Sequence, residues 1–124
     1  MTMTTGTNAI EAVNKVPNER MEDLIHEALV ARMDERDCEM KFQEFDVSVR
    51  REVGKPIFVD LNVSGMSGDT SKDSFAKIGP NGVEVVKGGG SFSVKLDDDS
   101  VVKFVFSEVL NLNSTDYLVT YRLA

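Results

Sequence analysis

Val101-Val102-Lys103-Phe104-Val105-Phe106-Ser107-Glu108-Val109-Leu110-Asn111-Leu112 is the stretch on which the reading of the fold turns. Its density of valine and phenylalanine, with no glycine or proline, predicts a strand. Successive strand side chains point to opposite faces. Val102, Phe104 and Phe106 supply one apolar face, and Val101, Val105 and Val109 supply the other. Residues 117–123 repeat the pattern more weakly. A strand that is apolar on both faces needs cover on both. The chain offers one long helix for this purpose, so either the sheet closes on itself as a sandwich or a second copy or partner supplies the missing layer.

Working outward from that strand, the helix is the clearest element. Met21, Leu24, Ile25, Ala28, Leu29 and Met33 fall at i, i+3, i+4 spacing and form one stripe. Asn18 is a suitable N-cap, and Glu19, Glu22 and Asp23 suit the positive end of the helix dipole. The expected helix runs from residue 19 to about residue 37. Ahead of it, residues 1–17 read as a polar arm with a short helical hint, in which Thr7 caps a turn and Ile10 and Val13 share a face before Pro17 breaks it.

After residue 40 the period changes to two. Met40 and Phe42 are in one phase and Phe45, Val47 and Val49 in the other, so a bulge is expected near Gln43-Glu44. Gly54-Lys55-Pro56 turns the chain into Ile57, Val59, Leu61 and Val63, which completes a hairpin. Residues 64–74 contain almost nothing apolar and read as a loop. Further strands are expected from Phe75, over residues 83–87 and 92–96, and in the two late segments, separated by Gly79-Pro80-Asn81-Gly82, Gly88-Gly89-Gly90 and Asp97-Asp98-Asp99-Ser100.

The predicted class is α+β: one N-terminal amphipathic helix packed on an antiparallel β-meander of five to seven strands, with an arm at 1–17 and a single domain at 18–124. In architecture alone this order resembles the cystatin-like layout, with a small sandwich as the other arrangement. A helix of about 28 Å shields only two or three strands of one sheet face. Phe58, Val86, Val101, Val105, Val109 and Leu118 alternate away from the main apolar faces, and full burial would stabilise by roughly 1.5–3 kcal/mol apiece.

Bulk properties narrow the function. The 124 residues suit one domain. A net charge of −7 argues against direct contact with nucleic acid or an anionic membrane. No apolar run approaches the roughly 18 residues of a spanning helix, and no secretion signal is visible. One cysteine, Cys38, rules out an intrachain disulfide and fits a reducing compartment, so the expected location is the cytoplasm, or a host cytoplasm or virion for a viral protein.

Residues capable of chemistry are few. His26 is the only histidine, and Glu22 four residues earlier accounts for it as a surface pair. Cys38 follows a helix C-terminus between Asp37 and Glu39, where a thiolate is disfavoured. Gly65-Met66-Ser67-Gly68 lacks the spacing of a nucleophile elbow. The three glycines at 88–90 lead into a strand rather than a helix, so they offer no helix N-terminus to a phosphate. Asp69 to Asp73 and Asp97-Asp98-Asp99 lack the ligand pattern of a calcium loop, and one cysteine with one histidine does not make a zinc site. No catalytic residue, cofactor or metal is therefore expected.

What remains is a non-catalytic protein-interaction or assembly subunit, acting as a small homo-oligomer or as a binder or inhibitor of another protein, in the manner of many viral or phage-encoded parts. The expected interface is Val101, Val105, Val109, Leu118 and Phe58, with Arg50 and Arg51 at the first hairpin tip available to an acidic partner. The alternative is a small-molecule cup between helix and curved sheet, enzymatic or not, with polar groups from Asp46, Asp60 or Asn62. A third reading is acidic mimicry that blocks a nucleic-acid-binding protein.

Overall fold

Pro17, with φ −59° and ψ 151°, separates two helices. The computed structural model describes residues 4–36, 44–54, 56–64, 76–79, 82–85, 90–111 and 117–124. Helix α1 spans Gly6–Asn14 and α2 spans Asn18–Met33. Asn18 is the first helical residue rather than the cap, and the amide of Met21 donates to the Pro17 carbonyl at 2.9 Å. The stripe behaves as its spacing requires: Met21, Leu24, Ile25, Leu29 and Met33 are buried and Ala28 is partly so. The helix stops at Met33, short of the expected end near residue 37.

The segment read as a polar arm makes α1. Ala9, Ala12 and Val13 are buried, with Val16 just beyond, in the same cluster that holds the α2 stripe. Its buried side combines Ala9, Ala12 and Val13, while Ile10, expected to share a face with Val13, is 44% exposed.

Five strands form one antiparallel sheet: β1 (Glu44–Arg50), β2 (Phe58–Ser64), β5 (Ser91–Lys95), β6 (Val101–Asn111) and β7 (Tyr117–Leu123), in the order β1-β2-β7-β6-β5. A separate hairpin joins β3 (Ala76–Gly79) to β4 (Gly82–Val85). The fold is therefore α+β with an antiparallel sheet, as expected, but the sheet is not a simple meander. The last strand inserts between β2 and β6. Helix α2 packs against both β1 and β5, the two outermost strands, so the sheet curls around it.

The core fills the space between helices and sheet. Val59, Leu61 and Val63 from β2, Phe104 from β6 and Val119 and Tyr121 from β7 are completely buried against Met21, Ile25 and Leu29. Tyr121 stands edge-on to Phe92, with ring centroids 4.8 Å apart, and to Phe106 at 6.1 Å. Such edge contacts suit the ring quadrupoles.

Two turns use left-handed backbone. Gly54, in the β1–β2 turn, has φ +75°. Asp99, at the β5–β6 tip, has φ 69°, a region that aspartate tolerates better than most residues. Asp98 Oδ1 accepts from the Ser100 amide at 3.0 Å, an Asx turn. Asp97 instead reaches across to Arg20 with two bonds of 2.8 and 3.0 Å. The aspartate triplet thus has three separate structural roles.

Candidate functional site

The sheet face opposite the helices is where the sequence places an interface, and the register fixes its layout. Along one row lie Arg50, Phe58, Arg122, Val105 and Ser91. A second row holds Ser48, Asp60, Thr120 and Glu108, and a third holds Asp46, Asn62, Leu118 and Leu110. Val101 lies beyond the first row, opposite Lys95. Phe58, Val101, Val105 and Leu118 are all half-buried on this face.

Val109 is not among them. The β6–β7 register shifts between Phe106 and Glu108, so that Phe106 faces Tyr121 and Val109 faces Val119. Two residues of β6 are spent where β7 spends one, and the phase of every later side chain reverses. Val109 consequently packs against the core, while Leu110 emerges on the outer face at 51% exposure. Part of the two-faced apolar pattern in β6 is thus a single core face that changes phase midway. Leu110 could not be found by strict alternation for the same reason.

The remaining predicted residues do not form one patch. Leu118 and Leu110 are directly paired neighbours at one end, and Phe58 and Val105 flank Arg122 at the other. A polar row divides them. Asp60 accepts from Arg50 Nε at 3.0 Å, from Arg50 Nη2 at 3.3 Å and from the Thr120 hydroxyl at 2.8 Å. The Arg50 guanidinium also lies 4.6 Å above the centre of the Phe58 ring and 3.6 Å from Glu52. Its hydrogen bond to Asp60 pushes the Arg50 pKa up from its ordinary value. Thr120 is buried although it sits on the outer side.

Arg51 is turned inward. Its Nη2 donates to the Val16 carbonyl at 2.7 Å and its Nη1 to Asn14 Oδ1 at 3.3 Å, which ties the strand end to the α1–α2 junction. Arg50 and Arg51 are therefore both engaged within the chain. His26 is exposed and stacks on Phe45, with ring centroids 4.6 Å apart and planes inclined at 14°. No cluster of three or more metal-ligating side chains occurs among the described residues. Cys38, Lys55, Val86, the predicted bulge near Gln43, the loop containing Ser67, Asp69 and Asp73, and Gly88 and Gly89 lie outside them.

The two edges of the sheet differ. At β1, the Val49 amide points away from β2 and donates to Glu22 Oε2 of α2 at 3.0 Å. At β5, Phe106 donates to the Gly90 carbonyl and Leu96 to the Ser100 carbonyl, each at 2.8 Å. Antiparallel alternation therefore directs the backbone groups of Phe92 and Val94 toward β6, and those of Ser91, Ser93 and Lys95 away from it. Beside this edge lies a groove of about 630 Å³, walled by Leu24, Ala28 and Ala31 of α2 and floored by Phe92 and Ser93. Arg32, Lys95 and Lys103 also line it, together with Glu27 and Glu35.

No protein-family model, curated protein or solved structure matches this chain. No helix among the described residues is long and apolar enough to cross a membrane.

Proposed function

We propose that this chain is a non-catalytic assembly subunit that works as a small homo-oligomer through the outer face of its sheet. The observation that carries the reading is the set of half-buried apolar groups on the face opposite both helices, Phe58, Val101 and Val105 on one side of the polar row and Leu118 with the exposed Leu110 on the other. Apolar residues distributed over a sheet face with a satisfied polar row between them form the pattern of a mixed, standard-size protein contact. Arg50 and Asp60, already paired within the chain, need no partner and add little desolvation cost when covered.

Val105→Glu tests this reading. It leaves the core face of β6 untouched and puts a charge within the proposed contact, beside Arg122. Solution mass at low micromolar concentration is expected to fall from an oligomer to 13.7 kDa. A wild-type chain that is already monomeric, or a mass unaltered by the substitution, would refute it.

A small-molecule reading has one supporting observation, the groove beside β5. The space directly under α2 is filled by Tyr121, Phe104, Met21 and Ile25, so a ligand would have to sit at the sheet edge rather than inside a cup. Thermal stabilisation by a member of a metabolite panel would favour this second reading.

A further inference from the structure

We infer that the β5 edge accepts an extended segment of another protein as a sixth strand, and that the segment recognised alternates apolar with acidic residues. Ser91, Ser93 and Lys95 present three N–H and three C=O groups outward, and none of them has a hydrogen bond among the described residues. An unpaired row of this kind is the main-chain half of strand addition, while side-chain pockets supply the selectivity.

The groove says which side chains fit. An added strand would direct alternate residues to the concave side, against Leu24, Phe92 and the small Ala28 and Ala31. The small residues leave room for branched apolar groups there. Glu27 and Glu35 stand on that same helix wall, and Glu35 is already paired with Arg32. Acids on the incoming segment are therefore repelled from the concave phase.

The outer phase is the reverse. Its nearest side chains are Ser91, Ser93 and Lys95, and Lys103 sits directly across from Ser93 on β6. Because Ser93 is small, Lys103 extends over it into the groove lining. Lys103 makes no ion pair among the described residues, and Lys95 holds only the exposed Asp99, at 3.4 Å. An acid on the outer phase meets two lysines at once. The charge distribution thus fixes both the composition and the phase of the segment.

The opposite edge lacks these features. Glu22 occupies the Val49 donor and His26 stacks on Phe45, so α2 closes over β1 where it leaves β5 open. This site borders the outer face proposed for self-assembly, since Ser91 pairs with Val105 and Lys103 lies between Val101 and Val105 on β6; Leu118→Glu, two strands away on β7, is expected to leave it intact.

The test uses two fluorescein-labelled nine-residue peptides, one alternating valine with aspartate and one alternating valine with lysine, titrated with the whole protein and followed by anisotropy. The aspartate peptide is expected to bind and the lysine peptide not to. Ser93→Pro removes one outward amide without touching the β6 ladder, and is expected to weaken binding by about tenfold or more. Lys103→Glu is expected to weaken the aspartate peptide by about threefold to fivefold. Circular dichroism of each variant establishes that the fold persists. Equal affinity for both peptides, no binding of either, or full affinity in a folded Ser93→Pro variant would overturn the inference. Loss of oligomer mass in Ser93→Pro would also overturn it, by assigning the edge to a second copy of this chain.

Discussion

Replacing Val109 and Leu110, one at a time, by aspartate tests the phase change in β6. Strict alternation from Val101 and Val105 would put Val109 outside and Leu110 inside, whereas the register shift between Phe106 and Glu108 does the opposite. Val109 is half-buried against the core, so removing it forfeits about half of the roughly 1.5–3 kcal/mol that a fully buried valine contributes. Introducing a carboxylate beside the buried Val119 adds about 1–3 kcal/mol of uncompensated desolvation. The sum is about 2–4 kcal/mol. For a chain of this size each kcal/mol moves the midpoint by about 3–5 °C, so Val109→Asp is expected to melt about 10 °C lower. Leu110, at 51% exposure, is expected to lose under about 0.5 kcal/mol on the same substitution. Thermal and urea denaturation of both variants in the Val105→Glu background, where the chain is expected to be monomeric, read the difference directly. Comparable losses, or a larger loss for Leu110→Asp, would mean that β6 runs without the shift and that the reasoning is wrong.

Thr120→Val removes the hydroxyl that donates to Asp60 at 2.8 Å and is expected to cost about 1 kcal/mol in urea unfolding; a neutral result would show that the bond contributes nothing net. Glu22→Ala uncovers the Val49 amide and should speed its hydrogen exchange relative to Val59, which stays paired; unchanged protection would refute the edge-cap role. Arg20 holds the Asp97 carboxyl below its usual range, and the Ser100 amide does the same for Asp98. Both lowered groups add stability that is complete above the unfolded value of about 3.9 and is lost as pH falls through the folded value. Asp97→Asn should therefore flatten the stability curve below about pH 4, and an acid limb identical to the wild type would contradict that assignment.

The elements read correctly from sequence are those whose burial repeats locally. The α2 stripe from Met21 to Met33 and the alternation of Val59, Leu61 and Val63 each show their period within one segment. Helix α1 was legible only as a short hint, because its expected face joins the buried Val13 to the exposed Ile10, and its packed side is completed by Ala9 and Ala12. The bulge in β6 escaped because a one-residue phase change and a doubly apolar strand share the same composition. On the outer face, the partition of the apolar residues depends on Arg50, Asp60 and Thr120 meeting across three strands, with Thr120 distant in sequence from the other two. The open β5 edge was equally invisible, since which strand ends up outermost is decided by where β7 inserts.

That insertion bears on how the chain comes together during synthesis. Residues 117–123 leave the ribosome after every other strand, yet they occupy the middle position, bonded to β2 on one side and β6 on the other. Until they arrive, the five-stranded sheet exists only as two detached hairpins, β1–β2 and β5–β6, each with a sticky inner margin, alongside the separate β3–β4 pair. Closure over a separation of more than fifty residues is slow compared with hairpin formation. The window between translation of β6 and docking of β7 is therefore when this fold is most exposed to misassembly, and a chaperone or a translational pause between the two would act on that single step.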